Sequence, residues 1–372
     1  MKWKYIALLF PLLVISCQKA IINKGDIWKI NPLSSKEMDL SLIIDSISLI
    51  PLETNDSSLI KKVVGVVLKN ECYYINDNLK NIFVFDKCGR FLRSTQGYRR
   101  NGPNGYVSLS DFQVLDNGNI EIFDALSYKL KEYSTSMRIV NALELPKDIL
   151  PSSQYERLNE DSILFVSNLT KNSSLKLYSK SNRKILKKIV DEQGNSFVKV
   201  TNSLQKIDGI IYYSPPYPSN DLYVINGLMD KDLVFRLDFG EYNFGMEKLP
   251  EGLDKRYSAK YMQEHDYAYP YSKYDLPTCT IAFFEFRQRL HVAFRSKLSN
   301  EMFVLKNEFN KKRQLLIPSF VQGNTLYYVS EPDYLPYVID TTLMNRNDMD
   351  KMKLIQETDN PIIVAYKVKT LL

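Results

Sequence analysis

Tyr73-Tyr74-Ile75 followed by Ile82-Phe83-Val84-Phe85 sets a pattern that returns as Ile120-Glu121-Ile122-Phe123 followed by Leu130-Lys131-Glu132-Tyr133. Each copy is a hydrophobic strand, a polar turn and a second strand ending in an aromatic or aliphatic pair. β-Branched and aromatic runs between Asn, Asp, Gly and Ser turns read as strands. Further copies are Ile163-Leu164-Phe165-Val166 with Leu175-Lys176-Leu177-Tyr178, and Ile211-Tyr212-Tyr213 with Leu222-Tyr223-Val224-Ile225. The last two are Leu290-His291-Val292-Ala293 with Met302-Phe303-Val304-Leu305, and Leu326-Tyr327-Tyr328-Val329 with Tyr337-Val338-Ile339. The first four copies recur about every 45 residues, the period of a four-stranded propeller blade. A single blade cannot bury both faces of its sheet, so the copies stack radially.

Completing strands are expected at 91–95, 139–143, 185–190, 233–237 and 314–317. Six copies predict an all-β fold, a six-bladed β-propeller; an irregular array of β-sandwiches is the competing arrangement. Two stretches break the period and predict short helical insertions. The first, about 239–277, holds a helix-like run from Leu253 to Glu264 and the tyrosines Tyr257, Tyr261, Tyr267, Tyr269, Tyr271 and Tyr274. The second, about 341–358, holds a helical pattern from Leu343 to Ile355 before a closing strand from Ile362 to Val368. Both are expected on one rim, over or beside the channel mouth. Closure is expected to pair the strand from Ile43 to Leu52 with C-terminal sheet, which hides the ring's edges.

The chain opens on Met1-Lys2-Trp3-Lys4, an apolar run from Tyr5 to Ile15, then Ser16-Cys17. Two lysines, a short apolar core and a small residue before cysteine predict a bacterial signal peptide over 1–16. The run is shorter than the roughly 20 residues of a spanning helix. Val14-Ile15-Ser16-Cys17 resembles a lipobox, which implies acylation of Cys17, a lipidated tether and lead-in over 17–42, and a ring over 43–372. The net charge of +6 includes Lys2 and Lys4, so the processed chain is mildly basic, and its basic residues are scattered. No nucleic-acid partner is expected from that distribution.

Cys72, Cys88 and Cys279 remain after Cys17, an odd number that leaves at least one thiol free. A Cys72–Cys88 bridge between neighbouring strands is open, with three buried, reduced thiols as the main expectation. His265 and His291 stand far apart, so no Cys/His zinc spacing can be written, and no metal or cofactor is expected.

Across nearly the whole processed chain the sequence resembles the six-bladed, NHL-like β-propeller lipoproteins of Bacteroidota. Ile44-Asp45-Ser46-Ile47 with Ile50-Pro51-Leu52-Glu53-Thr54 looks like their opening strand. Phe85-Asp86-Lys87-Cys88-Gly89-Arg90-Phe91-Leu92 looks like their "FDKNGKFL" turn, and residues 97–106 like their "GxGPGEY" crossing. Asp111-Phe112 and Asn360-Pro361-Ile362-Ile363 also match. Arg100 replaces a glycine of the crossing, and Asn104-Gly105 replace Gly-Glu, so a ligand role of the family glutamate is not carried over. The resemblance implies an outer-membrane lipid anchor. Gln18-Lys19 begins like a surface-export signal, but no acidic residues follow, which favours the periplasmic face.

Two binding sites are expected. At the channel mouth, Arg99, Arg100, Asn101, Asn104, Tyr106 and Asp111 surround a glycine turn, and paired arginines can grip a carboxylate or phosphate. Solvated arginines on a plain blade-to-blade connection are the bland reading. In the first insertion, Tyr267, Tyr269 and Tyr271 offer apolar rings with polar tips, suited to a peptide, sugar or protein. Sealing the insertion against the ring is their bland reading. No Gly-x-Ser-x-Gly elbow or sialidase Asp-box occurs, and catalytic residues are not assignable. The sequence thus predicts an envelope-anchored binding or scaffolding module for a protein, peptide or glycan. A hydrolase or lyase using carboxylates or arginine at the channel mouth is the alternative.

Overall fold

In the first four predicted copies the two strands pair as the middle hairpin of a sheet, whereas in the fifth they are its third and outermost strands. Tight turns join neighbouring strands: Asn70-Glu71, between Val63–Lys69 and Cys72–Asp77, and Arg287-Gln288, between Cys279–Phe286 and Arg289–Ser296, carry positive φ at both positions (51° and 57°; 50° and 60°), the backbone twist that two-residue hairpins need. The computed structural model describes residues 25–370, apart from 103, 168–172, 192–201, 217–218, 228, 245–247, 249, 251–257 and 309–312. Cys17, the signal peptide and Tyr257 therefore lie outside the described residues.

Six sheets form a six-bladed β-propeller. From the innermost strand outward, blade one is Val63–Lys69, Cys72–Asp77, Ile82–Asp86 and Phe91–Ser94. Blade two is Asp111–Val114, Ile120–Asp124, Lys129–Tyr133 and Ile139–Glu144. Blade three is Gln154–Arg157, Ser162–Ser167, Ser173–Ser179 and Lys184–Asp191. Blade four is Leu204–Ile207, Ile210–Tyr213, Asp221–Ile225 and Lys231–Asp238. Blade five is Tyr269–Asp275, Cys279–Phe286, Arg289–Ser296 and Met302–Lys306. Blade six is Phe320–Gln322, Thr325–Ser330, Ile362–Val368 and Ile44–Pro51.

Middle strands are covered on both faces by neighbouring blades, so they read as continuous apolar runs: Ile82, Phe83, Val84 and Phe85 are all fully buried. Apolar clusters fill the seams between blades. One joins Tyr74 and Val84 of blade one to Ile122 and Tyr133 of blade two, and another joins Phe123 to Phe165 across blades two and three.

The ring closes as the opening strand predicts, with Ile50 opposite Ile363 and Ile47 opposite Tyr366. The stretch read as tether also contributes sheet. Asp26–Lys29 runs parallel to Lys231–Asp238 outside blade four, and Lys36–Glu37 runs parallel to Met302–Lys306 outside blade five. Trp28 fixes this strap by stacking on Phe235 at 4.5 Å between ring centroids.

Other elements differ from the sequence reading. Residues 337–339 do not form blade six's next strand. Leu335–Val338 is a short helix. Pro336 in its first turn has the fixed φ that starts a helix. The third strand of the blade is instead Ile362–Val368. Residues 314–317 are not strand, because the Asn307 side chain bonds both the N–H and the carbonyl of Leu315 and holds that segment aside. The first insertion ends earlier than 277, since Tyr269–Asp275 is blade five's inner strand; its helix is Ser258–Glu264. The helix Arg346–Leu354 does not sit at the channel mouth. It packs on the outermost strand of blade six, where Asp348 accepts from the Leu49 N–H and Lys351 donates to the Leu49 carbonyl. All three thiols are free, and only Cys279 is buried: Cys88 is exposed on a turn and Cys72 is half-buried.

Candidate functional site

Every inner strand starts at the same end of the ring, because each crossing returns the chain from rim to axis. The crossings, and the turns between second and third strands, therefore share one face, here called the upper face. Asp111, Gln154, Leu204 and Tyr269 stand at or near it. The turns after the inner strands, such as Asn70-Glu71 and Asp116-Asn117-Gly118, share the lower face, where Lys69 pairs with Asp116 at 2.6 Å.

The predicted crossing-loop residues do not converge as one site. Tyr106 is fully buried, and its hydroxyl donates to the Lys80 carbonyl at 2.6 Å and bonds Thr95 Oγ1 at 2.8 Å. Burial pushes its phenol up to about 12. Arg99 donates to the Leu79 carbonyl at 3.1 Å, while Arg100, Asn101 and Asn104 are exposed. Gly105 is required: a Cβ there would meet the Arg100 carbonyl oxygen at 2.1 Å. Beneath it, Lys131 Nζ donates to the Gly105 carbonyl and to Asp124 Oδ2, both at 2.8 Å. Asp124 also accepts from Val107 N, Ser108 N and Ser108 Oγ. These contacts fasten a connection.

Asp111 belongs to a different set. Its carboxylate accepts the Tyr155 N–H at 2.9 Å, tying blade two to blade three, and the Phe112 N–H at 2.9 Å. Burial, reinforced by the Glu156 carboxylate, pushes Asp111 up to about 7. Glu156, also raised by burial, accepts from Gln113 at 2.9 Å and from Lys206 at 3.4 Å. Arg157 pairs with Glu121. The inner wall of blades two to four is thus a polar ladder whose acceptors are occupied by the ring itself. Among the described residues His291 has no carboxylate partner: its Nδ1 faces the Arg289 carbonyl, its ring stacks on Phe284, and burial lowers its pKa. No group of three or more His, Cys, Asp or Glu side chains among the described residues could hold a metal ion.

The tyrosines do converge. Tyr267, Tyr269 and Tyr271 line one small cleft on the upper face of blade five with Met262, Gln263, Glu285 and Arg287, about 20 Å³ in volume and open on one side. Alternation along the inner strand is broken at Tyr271: Pro270 lies opposite Phe284 and Ser272 opposite Phe283. The extra residue is a bulge, a device that re-aims side chains. It leaves the Tyr271 ring edge-on to Tyr269 at 4.9 Å. Glu285 Oε2 accepts from the Tyr271 hydroxyl and Oε1 from Gln263 Nε2, each at 2.5 Å. Tyr269 is 4% exposed, and among the described residues its hydroxyl has no hydrogen-bond partner. Burial raises the phenol pKa of both Tyr269 and Tyr271, and the Glu285 bond adds to it at Tyr271. Tyr274 is not part of this pocket; it donates to the Pro318 carbonyl on the far side. Sequence reasoning missed Glu285 and Arg287, whose signal was a charged pair ending the apolar strand that begins Thr280-Ile281-Ala282-Phe283-Phe284.

The model of a family described as a domain of unknown function, DUF4934, matches residues 27–367. Among solved structures, the chain is similar to one described as an exported protein of Bacteroides fragilis NCTC 9343, at 18% identity and a TM-score of 0.71, covering 92% of this chain and 99% of that one. It is also similar to a member of the DUF4221 family from Bacteroides vulgatus, at 12% identity and a TM-score of 0.53, covering 87% and 98%. No curated protein matches the chain.

Proposed function

The chain belongs to the DUF4934 family, and we propose that it is an envelope lipoprotein whose ring is a binding module for a protein, peptide or glycan. The observation that carries this reading is the tyrosine pocket, a small, open, aromatic-lined cleft on a rigid ring that contains a buried hydroxyl without a partner among the described residues. The cleft is small, and what supports a binding role is its place on loops held by a rigid scaffold, where recognition residues concentrate. The likeness to an exported protein and the N-terminal lipobox support export, acylation at Cys17 and an outer-membrane anchor, with the periplasmic face favoured.

A hydrolase or lyase at the channel mouth would draw on Asp111, poised near neutrality beside Glu156. Both carboxylates, however, are engaged in holding blades two, three and four together. The test is capture of envelope partners after gentle cross-linking, comparing the acylated protein with Tyr267→Ala/Tyr271→Ala and with Arg99→Ala/Arg100→Ala. A partner or glycan lost only in the tyrosine variant supports the reading. Retention of every partner by that variant would sink it.

A further inference from the structure

Glu285 gives the tyrosine pocket a chemical preference. Its two oxygens accept from Tyr271 and Gln263, both neutral donors, and among the described residues no cation pairs with it. Among the described residues the nearby cations have other partners. Arg287 grips Asp266 through Nε at 2.9 Å and Nη2 at 2.5 Å, and lies over the Phe286 ring at 5.1 Å. Lys248 donates to the Asn243 carbonyl and sits 4.8 Å over the Tyr267 ring. His265 stacks on Tyr261 and also, at 6.4 Å between centroids, on the lining residue Tyr267.

Glu285 is half-buried beside aromatic rings and meets only neutral donors among the described residues, so an incoming cation would supply a charge-assisted partner the ring does not. Ring faces add their own attraction for a cation. Lys248 over Tyr267 is an instance of that attraction within the same cluster. The walls, Met262 with the rings of Tyr269 and Tyr271, are apolar and suit an alkyl stem. We propose that this pocket binds an alkylammonium group, with Glu285 as the counter-charge and the tyrosine rings as the cage. The proposal rests on the binding reading above and names the ligand chemistry. Two carriers share that chemistry, a lysine side chain on a peptide and a free small amine.

The test titrates the full processed chain with tetramethylammonium, n-butylammonium and Nα-acetyl-lysine methylamide, beside the neutral isostere 3,3-dimethylbutanol, followed by tyrosine ring NMR shifts. The expected result is binding of the ammonium probes at least about tenfold tighter than the isostere, and about tenfold weaker in Glu285→Gln. Lysine methylamide binding tighter than n-butylammonium identifies a peptide carrier; equal binding identifies a free amine. The isostere comparison uses the unaltered protein, so it stands even where Glu285→Gln fails to fold. Equal binding of the isostere, or no shift from any ammonium up to roughly 50 mM, overturns the proposal. In that event, partner loss in Tyr267→Ala/Tyr271→Ala would leave the binding reading intact, whereas partner retention would remove both.

Discussion

Replacing Lys131 by Met tests how the crossing loop is held. Lys131 is 8% exposed and Asp124 fully buried, so the pair sits away from water. The substitution keeps the side chain's length but removes the only cation paired with Asp124 among the described residues. Breaking one partner of a buried pair costs about 3–5 kcal/mol. Three donors remain on Asp124, two backbone N–H groups and the Ser108 hydroxyl, which places the cost near the lower end. The orphaned Gly105 carbonyl adds about 1 kcal/mol. The expected loss is therefore ~4 kcal/mol in urea unfolding. Lys131→Met/Asp124→Asn should lose less than the single variant, because no buried charge is left unpaired. A local readout accompanies it: trypsin should cut at exposed Arg99 and Arg100 faster once Gly105 is released. A loss below about 1 kcal/mol with unchanged cleavage would refute the reasoning. Acid behaviour gives the sign independently. Despite burial, Lys131 and the other donors hold Asp124 down to about 2, so its contribution is present above its ordinary value of 3.8 and is lost as pH falls through about 2. Lys131→Met should move that acid limb to higher pH.

The opposite sign is expected at Asp111. Its carboxyl is raised from 3.8 to about 7, so its contribution is full below about pH 4 and is lost as pH rises through 7. Asp111→Asn should flatten that decline, by up to about 4 kcal/mol between pH 4 and pH 8, as read from urea curves at each pH. Asn360→Ala should cost about 3 kcal/mol in the same assay, because the amide donates to the Glu53 and Ser58 carbonyls at 2.7 and 2.9 Å and accepts the Ile60 N–H at 2.9 Å. Tyr269→Phe removes a buried hydroxyl that has no partner among the described residues and should raise the thermal midpoint, with a gain of about 1 kcal/mol.

The blades were legible because a sheet covered on both faces needs apolar runs in its middle strands. Ile82-Phe83-Val84-Phe85 declares itself in that way. Blade six was misread at Tyr337-Val338-Ile339 because its apolar residues suit a short buried helix as well as a strand, and Pro336 decides between them. The lead-in strands were illegible since Asp26-Ile27-Trp28-Lys29 is too short to show a period; only the rim of blade four makes it a strand. At the site, three clustered tyrosines pointed to the pocket, but Glu285 reaches it across a strand pair and no spacing announces that. Tyr106 was misleading for the converse reason: a residue in a glycine-rich loop looks available until the chain folds the ring under Lys80 and Thr95.

The most direct test of the account places a photo-cross-linking amino acid at position 287, beside the tyrosine pocket, and separately at position 117, on the lower-face turn. Both proteins are irradiated in the intact envelope. The account predicts a discrete adduct from position 287, competed away by the ligand, and none from position 117. No adduct from 287, or the same adducts from both faces, would contradict it.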